Sequence, residues 1–140
     1  MRILLAYDNS QQSKNALEFA SQLPLRKPVD FEIASIVAPP VFVDSMVTGF
    51  PLDLGPFIDA ETSEARTEVD EVGAKLERRD HVHSVHGRVV VGPPTSRLLD
   101  IAEQCKADLV VLGAVGHSAV QRVLLGSVSD YVATHSDTST

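Results

Sequence analysis

Two turns in this chain carry residue types suited to holding a polar ring and a phosphate. The first is Asp8-Asn9-Ser10, which follows the apolar run Ile3–Tyr7. A carboxylate at the end of a strand accepts hydrogen bonds from an amino group or a ribose hydroxyl. The same Asp8 with Ser10 equally suits a helix N-cap or an Asx turn. The second turn is Gly113-Ala114-Val115-Gly116, followed after nine intervening residues by Gly126-Ser127. Gly113 and Gly116 allow the backbone to come close to a ligand and to take φ > 0 without a Cβ penalty. A helix starting at Gly126-Ser127 offers unpaired N–H groups and the positive end of its dipole to an anion, and the Ser127 hydroxyl can cap the helix or meet a phosphate. Two glycines alone signal a turn more often than a site. A third, in register with a helix start and after a buried strand, shifts the balance to phosphate. Between them lie His117 and Arg122, each either within reach of a β- or γ-phosphate or facing solvent. No lysine lies in this segment, so a dedicated catalytic cation is not apparent.

The elements that must position these turns alternate in type. Ile3–Tyr7 reads as a short strand buried on both faces, as in a parallel sheet. A helix follows from about Gln11 to Leu23, with Ala16, Leu17, Ala20 and Leu23 on one face and Pro24 ending it. Val29–Val37 is a second strand, with Ile36 near its carboxyl end. A long helix over about Asp59–Arg79 buries Ala65, Val69, Val72 and Leu76, and the acids from Glu61 to Glu77 form its wet face. Ser84–Val91 is a third strand, Thr95 caps a third helix to about Lys106, and Asp108–Leu112 is a fourth strand. A last helix from Ser127 to about Thr134 turns Val128, Tyr131 and Val132 inward. Such β-α alternation gives an α/β fold, a parallel sheet with right-handed crossovers and helices on both faces. Ligands in such sheets bind beyond the carboxyl ends of the strands, where the strand order reverses. Residues 38–57 break the pattern, with four of the eight prolines and three of the five phenylalanines. Their apolar content predicts a flap or an interface element rather than a solvated loop.

Composition bounds the function. At 140 residues the chain is expected to be one domain, 1–140, with a real core. A net charge of −7 argues against a nucleic-acid partner, although backbone N–H groups can hold phosphate without net positive charge. No apolar run approaches the ~20 residues that span a bilayer. Asp8 cuts the opening apolar run too short for a signal peptide, and the lone Cys105 cannot form an internal disulfide. The expected location is cytoplasmic. His81, His83 and His86 cluster before the third strand without a second ligand group at zinc-like spacing, so no metal site is expected. A Walker phosphate loop, a G-x-G-x-x-G dinucleotide fingerprint and a G-x-S-x-G nucleophile elbow are all absent, and no residue is assigned as catalytic.

The pattern G-x2-G-x9-G-S, with Asp8 closing the first strand, resembles the universal stress protein family, specifically its ATP-binding branch. The resemblance runs from the opening strand to His135. It implies a Rossmann-like doubly wound sheet of order 3-2-1-4-5, in which the Asp8 and Gly113 turns face one crevice. Adenine would meet Asp8 and Ser10 and the backbone at Ile36. The triphosphate would cross Gly113, Gly116, Gly126, Ser127 and Val128, with His117 and Arg122 nearby. A divalent cation, Mg or Mn, would be carried by the phosphates. The family commonly places glycine where Asn9 stands. It also continues past His135 into a fifth, subunit-pairing strand that residues 136–140 do not supply. Either the sequence is cut short or the sheet ends at the fourth strand, whose edge is then expected to be covered by something else. A homodimer is still expected. The implied role is a nucleotide-dependent regulator or sensor in stress response. Two rivals are a family-fold module that works through protein partners without nucleotide, and a slow ATPase or phosphoryl- or adenylyl-transfer enzyme.

Overall fold

In a computed structural model that describes residues 1–25, 28–39, 53–114 and 126–140, Ile3, Leu4 and Leu5 are wholly buried. Burial of three successive residues is what a central strand covered on both faces requires. The described elements are β1 (Arg2–Ala6), α1 (Gln11–Gln22), β2 (Val29–Val37), α2 (Gly55–Leu76), β3 (Val82–Val91), α3 (Pro94–Cys105), β4 (Leu109–Val111) and α4 (Ser127–His135). The four strands form one parallel sheet of order β3-β2-β1-β4. Leu4 lies opposite Glu32 on one side and Val110 on the other.

Side-chain alternation along the strands divides the core into two layers. Ile3, Leu5, Phe31 and Ile33 pack with Ala16, Ala20, Val69, Val72 and Leu76 of α1 and α2. Leu4, Ala34 and Val110 pack with Leu98, Ile101, Ala102 and Val132 of α3 and α4. The α/β architecture and the 3-2-1-4 order are therefore those expected, and they set the carboxyl ends of β1 and β4 side by side.

Several local expectations change. Helix α2 starts at Gly55, a turn earlier than 59, because Pro56 is harmless in a first turn, where its missing N–H has no intrahelical partner. Helix α3 starts at Pro94 after Pro93, and Thr95 does not cap it. His83 and His86 lie within β3, which begins at Val82. Tyr131 is exposed, not inward, and its ring stacks on His135 with centroids 4.0 Å apart. The edge beyond β4 is also met. Ser139 forms a parallel bridge with Leu109, and its carbonyl accepts from Val110 N–H at 2.8 Å. Ser139 thus meets the outer edge of β4, because strand N–H groups need partners whatever side chains supply them.

One carboxylate is buried in the sheet. Glu32 of β2 is 7% exposed and pairs with Arg88 Nε of β3 at 2.9 Å, and Arg88 also donates to Gln104 of α3. Arg88→Ala strands this carboxylate. The expected cost is about 1–2 kcal/mol, below that of a fully buried pair because the guanidinium is well exposed. A shift in the urea unfolding midpoint measures it. No described helix is long and apolar enough to cross a membrane.

Candidate nucleotide site at the carboxyl ends of β1 and β4

Beyond β1 the chain is held in line by Tyr7 N–H, which donates to the Ala34 carbonyl at 2.9 Å. Asn9 then turns it with φ 59, in the left-handed region where glycine and asparagine are at home. This explains how asparagine stands at a position that the resemblance gives to glycine. Ser10 caps α1, its Oγ accepting from Ser13 N–H at 3.1 Å, and Ser13 Oγ donates back to the Ser10 carbonyl at 3.0 Å. Asp8 Oδ1 accepts from Ser10 N–H at 3.1 Å and from Ser10 Oγ at 2.6 Å. The two roles left open for Asp8 are thus divided. Ser10 is the cap, and Asp8 is the Asx residue that holds it, with its side chain exposed at the strand end.

The second turn packs directly on the first. A Cβ built on Gly113 would lie 2.8 Å from Gln12 Cβ, 2.9 Å from the Gln12 carbonyl carbon and 3.1 Å from Ser13 N. Gly113 is therefore needed for close approach to the first turn of α1, a role that its sequence context does not reveal. Across the segment, Gly126 N–H donates to the Ala114 carbonyl at 2.6 Å. Ser129 Oγ, buried, lies 2.7 Å from that carbonyl and 2.9 Å from the Gly126 carbonyl. These contacts seat the start of α4 beside the end of β4.

The N-terminus of α4 has Gly126 as its N-cap, with φ −73 and ψ 156, and no capping side chain. Neither Gly113 nor Gly126 uses left-handed backbone; among described glycines only Gly92, after β3, has positive φ. Ser127 does not cap the helix and is exposed at its first position. Val128 and Ile36 are half-buried on the same apolar cluster, Ile36 opposite Val90 one residue before β2 ends. The structure thus brings together Asp8, Ser10, Gly113, Gly126, Ser127 and Val128 at one end of the sheet, with Ile36 near the same end of β2. Gly116, His117 and Arg122 lie outside the described residues, as does most of the apolar stretch 38–57.

Charge at the first turn is negative. Burial, then the carboxylates of Glu68, Asp8 and Glu71, raise the Tyr7 phenol above its ordinary value, so it remains a donor at neutral pH. No group of three or more His, Cys, Asp or Glu among the described residues is arranged to hold a metal ion. A groove of about 450 Å³ lies elsewhere, between α1 and α2, lined by Lys14, Leu17, Glu18, Lys75, Leu76, Arg78 and Arg79. Both helices run there towards the amino ends of the strands, away from the two turns. Ser13, Glu68 and Ser129 are contributors that sequence reasoning missed. Only Ser129 had a local signal, a second serine in the first turn after Gly126.

Comparison with known proteins agrees with this fold. The profile of the universal stress protein family matches residues 1–140. Universal stress protein Sll1388 of Synechocystis is 32% identical, over 96% of this chain and 91% of its own. Among solved structures, universal stress protein UspA from Lactobacillus plantarum superimposes with a TM-score of 0.84 at 23% identity, covering 99% of this chain and 94% of that one. A universal stress protein solved in complex with cAMP superimposes with a TM-score of 0.70 at 25% identity, covering 99% and 93%. By sequence along its whole length and by fold, the chain belongs to the universal stress protein family.

Proposed function

We propose that this protein binds ATP or a close adenine nucleotide between the Asp8 and Gly113 turns and acts as a nucleotide-dependent regulator in stress response. The observation that carries the reading is the packing of Gly113 against Gln12 and Ser13, which sets a carboxylate turn beside an uncapped helix N-terminus. The base is assigned to Asp8, Ser10 and the backbone near Ile36. The phosphates are assigned to Gly113, Gly116 and the start of α4 at Gly126, Ser127 and Val128, with His117 and Arg122 beside them. The donor set fits an anion, since a helix start without a capping side chain presents backbone N–H groups and a positive dipole end. Magnesium or manganese would arrive on the phosphates, which suits a hard cation that keeps most of its waters. A relative's complex with cAMP, itself an adenine nucleotide, favours this reading over a partner-binding module without nucleotide. Turnover is at most slow hydrolysis, the chain having no motif that supplies a base or cation for transfer. The functional unit is proposed as a homodimer in the cytoplasm.

Mass spectrometry of denatured purified protein, with its absorbance, is expected to reveal adenine nucleotide. Light scattering is expected to give twice the 15.1 kDa subunit mass. Nucleotide-free protein that also gives no heat with magnesium ATP or cAMP would falsify the nucleotide reading, and a constant monomer mass would overturn the dimer.

A further inference from the structure

Glu68 is the feature of this end of the molecule that packing alone does not explain. It lies on the stripe of α2 that buries Ala65, Val69 and Val72, and it is itself half-buried. A carboxylate on a packed face costs desolvation unless its oxygens are hydrogen-bonded. Neither ion pair among the described residues includes it. Its partner is instead the carboxamide of Asn9, whose Nδ2 donates to Glu68 Oε1 across 59 residues of sequence. The other end of that carboxamide, Oδ1, accepts from the Tyr7 hydroxyl at 3.3 Å. Asn9 is thus held at both ends while its backbone stays left-handed, between Asp8 and Ser10.

We infer that Glu68 is a positioning residue for base recognition: through Asn9 it fixes the left-handed turn that aims the Asp8 carboxylate. Glu68 touches no nucleotide in this scheme. The inference rests on reading the crevice as an adenine-nucleotide site, and it makes α2, in the middle of the chain, a support of that site. Tyr7 serves the same turn as the second anchor. Its raised phenol supports this, because a protonated hydroxyl is what Asn9 Oδ1 requires.

The test is calorimetric titration of the full chain with magnesium ATP, and separately with inorganic tripolyphosphate. Glu68→Ala is expected to weaken ATP by about five- to tenfold, part of the value of a hydrogen bond to a charged group, and to leave tripolyphosphate unchanged. Glu68→Gln keeps an acceptor oxygen and should recover most of the affinity. Asn9→Gly reaches the left-handed region without help. In that background Glu68→Ala should therefore cost nothing further. ATP affinity unmoved by Glu68→Ala, an equal loss in the Asn9→Gly background, or an equal loss for tripolyphosphate would overturn the positioning role. In each of those cases a wild type that binds ATP leaves the nucleotide reading standing. A wild type that binds no adenine nucleotide overturns that reading and this inference with it. Thermal unfolding of the same four variants separates the two failures, since it reads the Asn9–Glu68 coupling without any nucleotide.

Discussion

Gly113→Val is expected to abolish nucleotide binding and to destabilise the protein at the same time. Sequence context alone predicts the first effect without the second, since a glycine beside a ligand can be filled while the fold survives. The structure changes that expectation. The new side chain would start 2.8 Å from Gln12 Cβ and 2.9 Å from a backbone carbon of α1. Backbone cannot swing aside as a flexible side-chain end does, so the β4 turn and the first turn of α1 must part. Overpacking of this kind typically costs about 1–3 kcal/mol, and the contact with backbone puts valine at or above the upper end. The separation also moves Ser10 and the Asx turn built by Asp8, so the base half of the site is lost with the phosphate half. Urea unfolding and ATP calorimetry on the same preparation check both effects. Wild-type stability with lost binding would restore the simpler view, in which Gly113 faces only the ligand. Full binding would remove the site from this crevice. Gly126→Ala is the comparison, because φ −73 and ψ 156 suit any residue there, so lost affinity would report the approach to phosphate rather than backbone strain.

Asp8→Ala is expected to weaken adenine nucleotides by roughly 1–3 kcal/mol, the cost of leaving the base's donor unpaired once the bound nucleotide covers this turn. Part of the effect is indirect, since Asp8 Oδ1 also takes the Ser10 N–H and hydroxyl that order the start of α1. Asp8→Asn keeps an oxygen for those two donors and should cost less. Calorimetry with ATP and with inorganic tripolyphosphate separates the contributions. A loss confined to ATP places Asp8 at the base, whereas an equal loss for both ligands makes it only the keeper of the turn. Affinity indifferent to both substitutions would leave Asp8 no role beyond the Asx turn.

The features readable in the chain are those that a few neighbouring residues settle. Three apolar residues in a row, Ile3 to Leu5, require a strand covered on both faces, and the spacing of Ala65, Val69, Val72 and Leu76 requires a helix with one buried stripe. Gly126-Ser127 marks a helix start, and Asp8 with Ser10 marks a strand-to-helix turn, because caps and turns are built from backbone groups within four residues of each other. Strand order was not among these features; it came only with the family resemblance. The tertiary structure alone decided which faces meet. It pressed Gly113 onto α1, joined Asn9 to Glu68, turned Tyr131 out to His135, and set Ser139 against the edge of β4. Each of these contacts joins elements, or faces of one helix, that the hydrophobic pattern leaves equivalent. Periodicity tells a residue which side of its own element is buried, but not what it will be buried against.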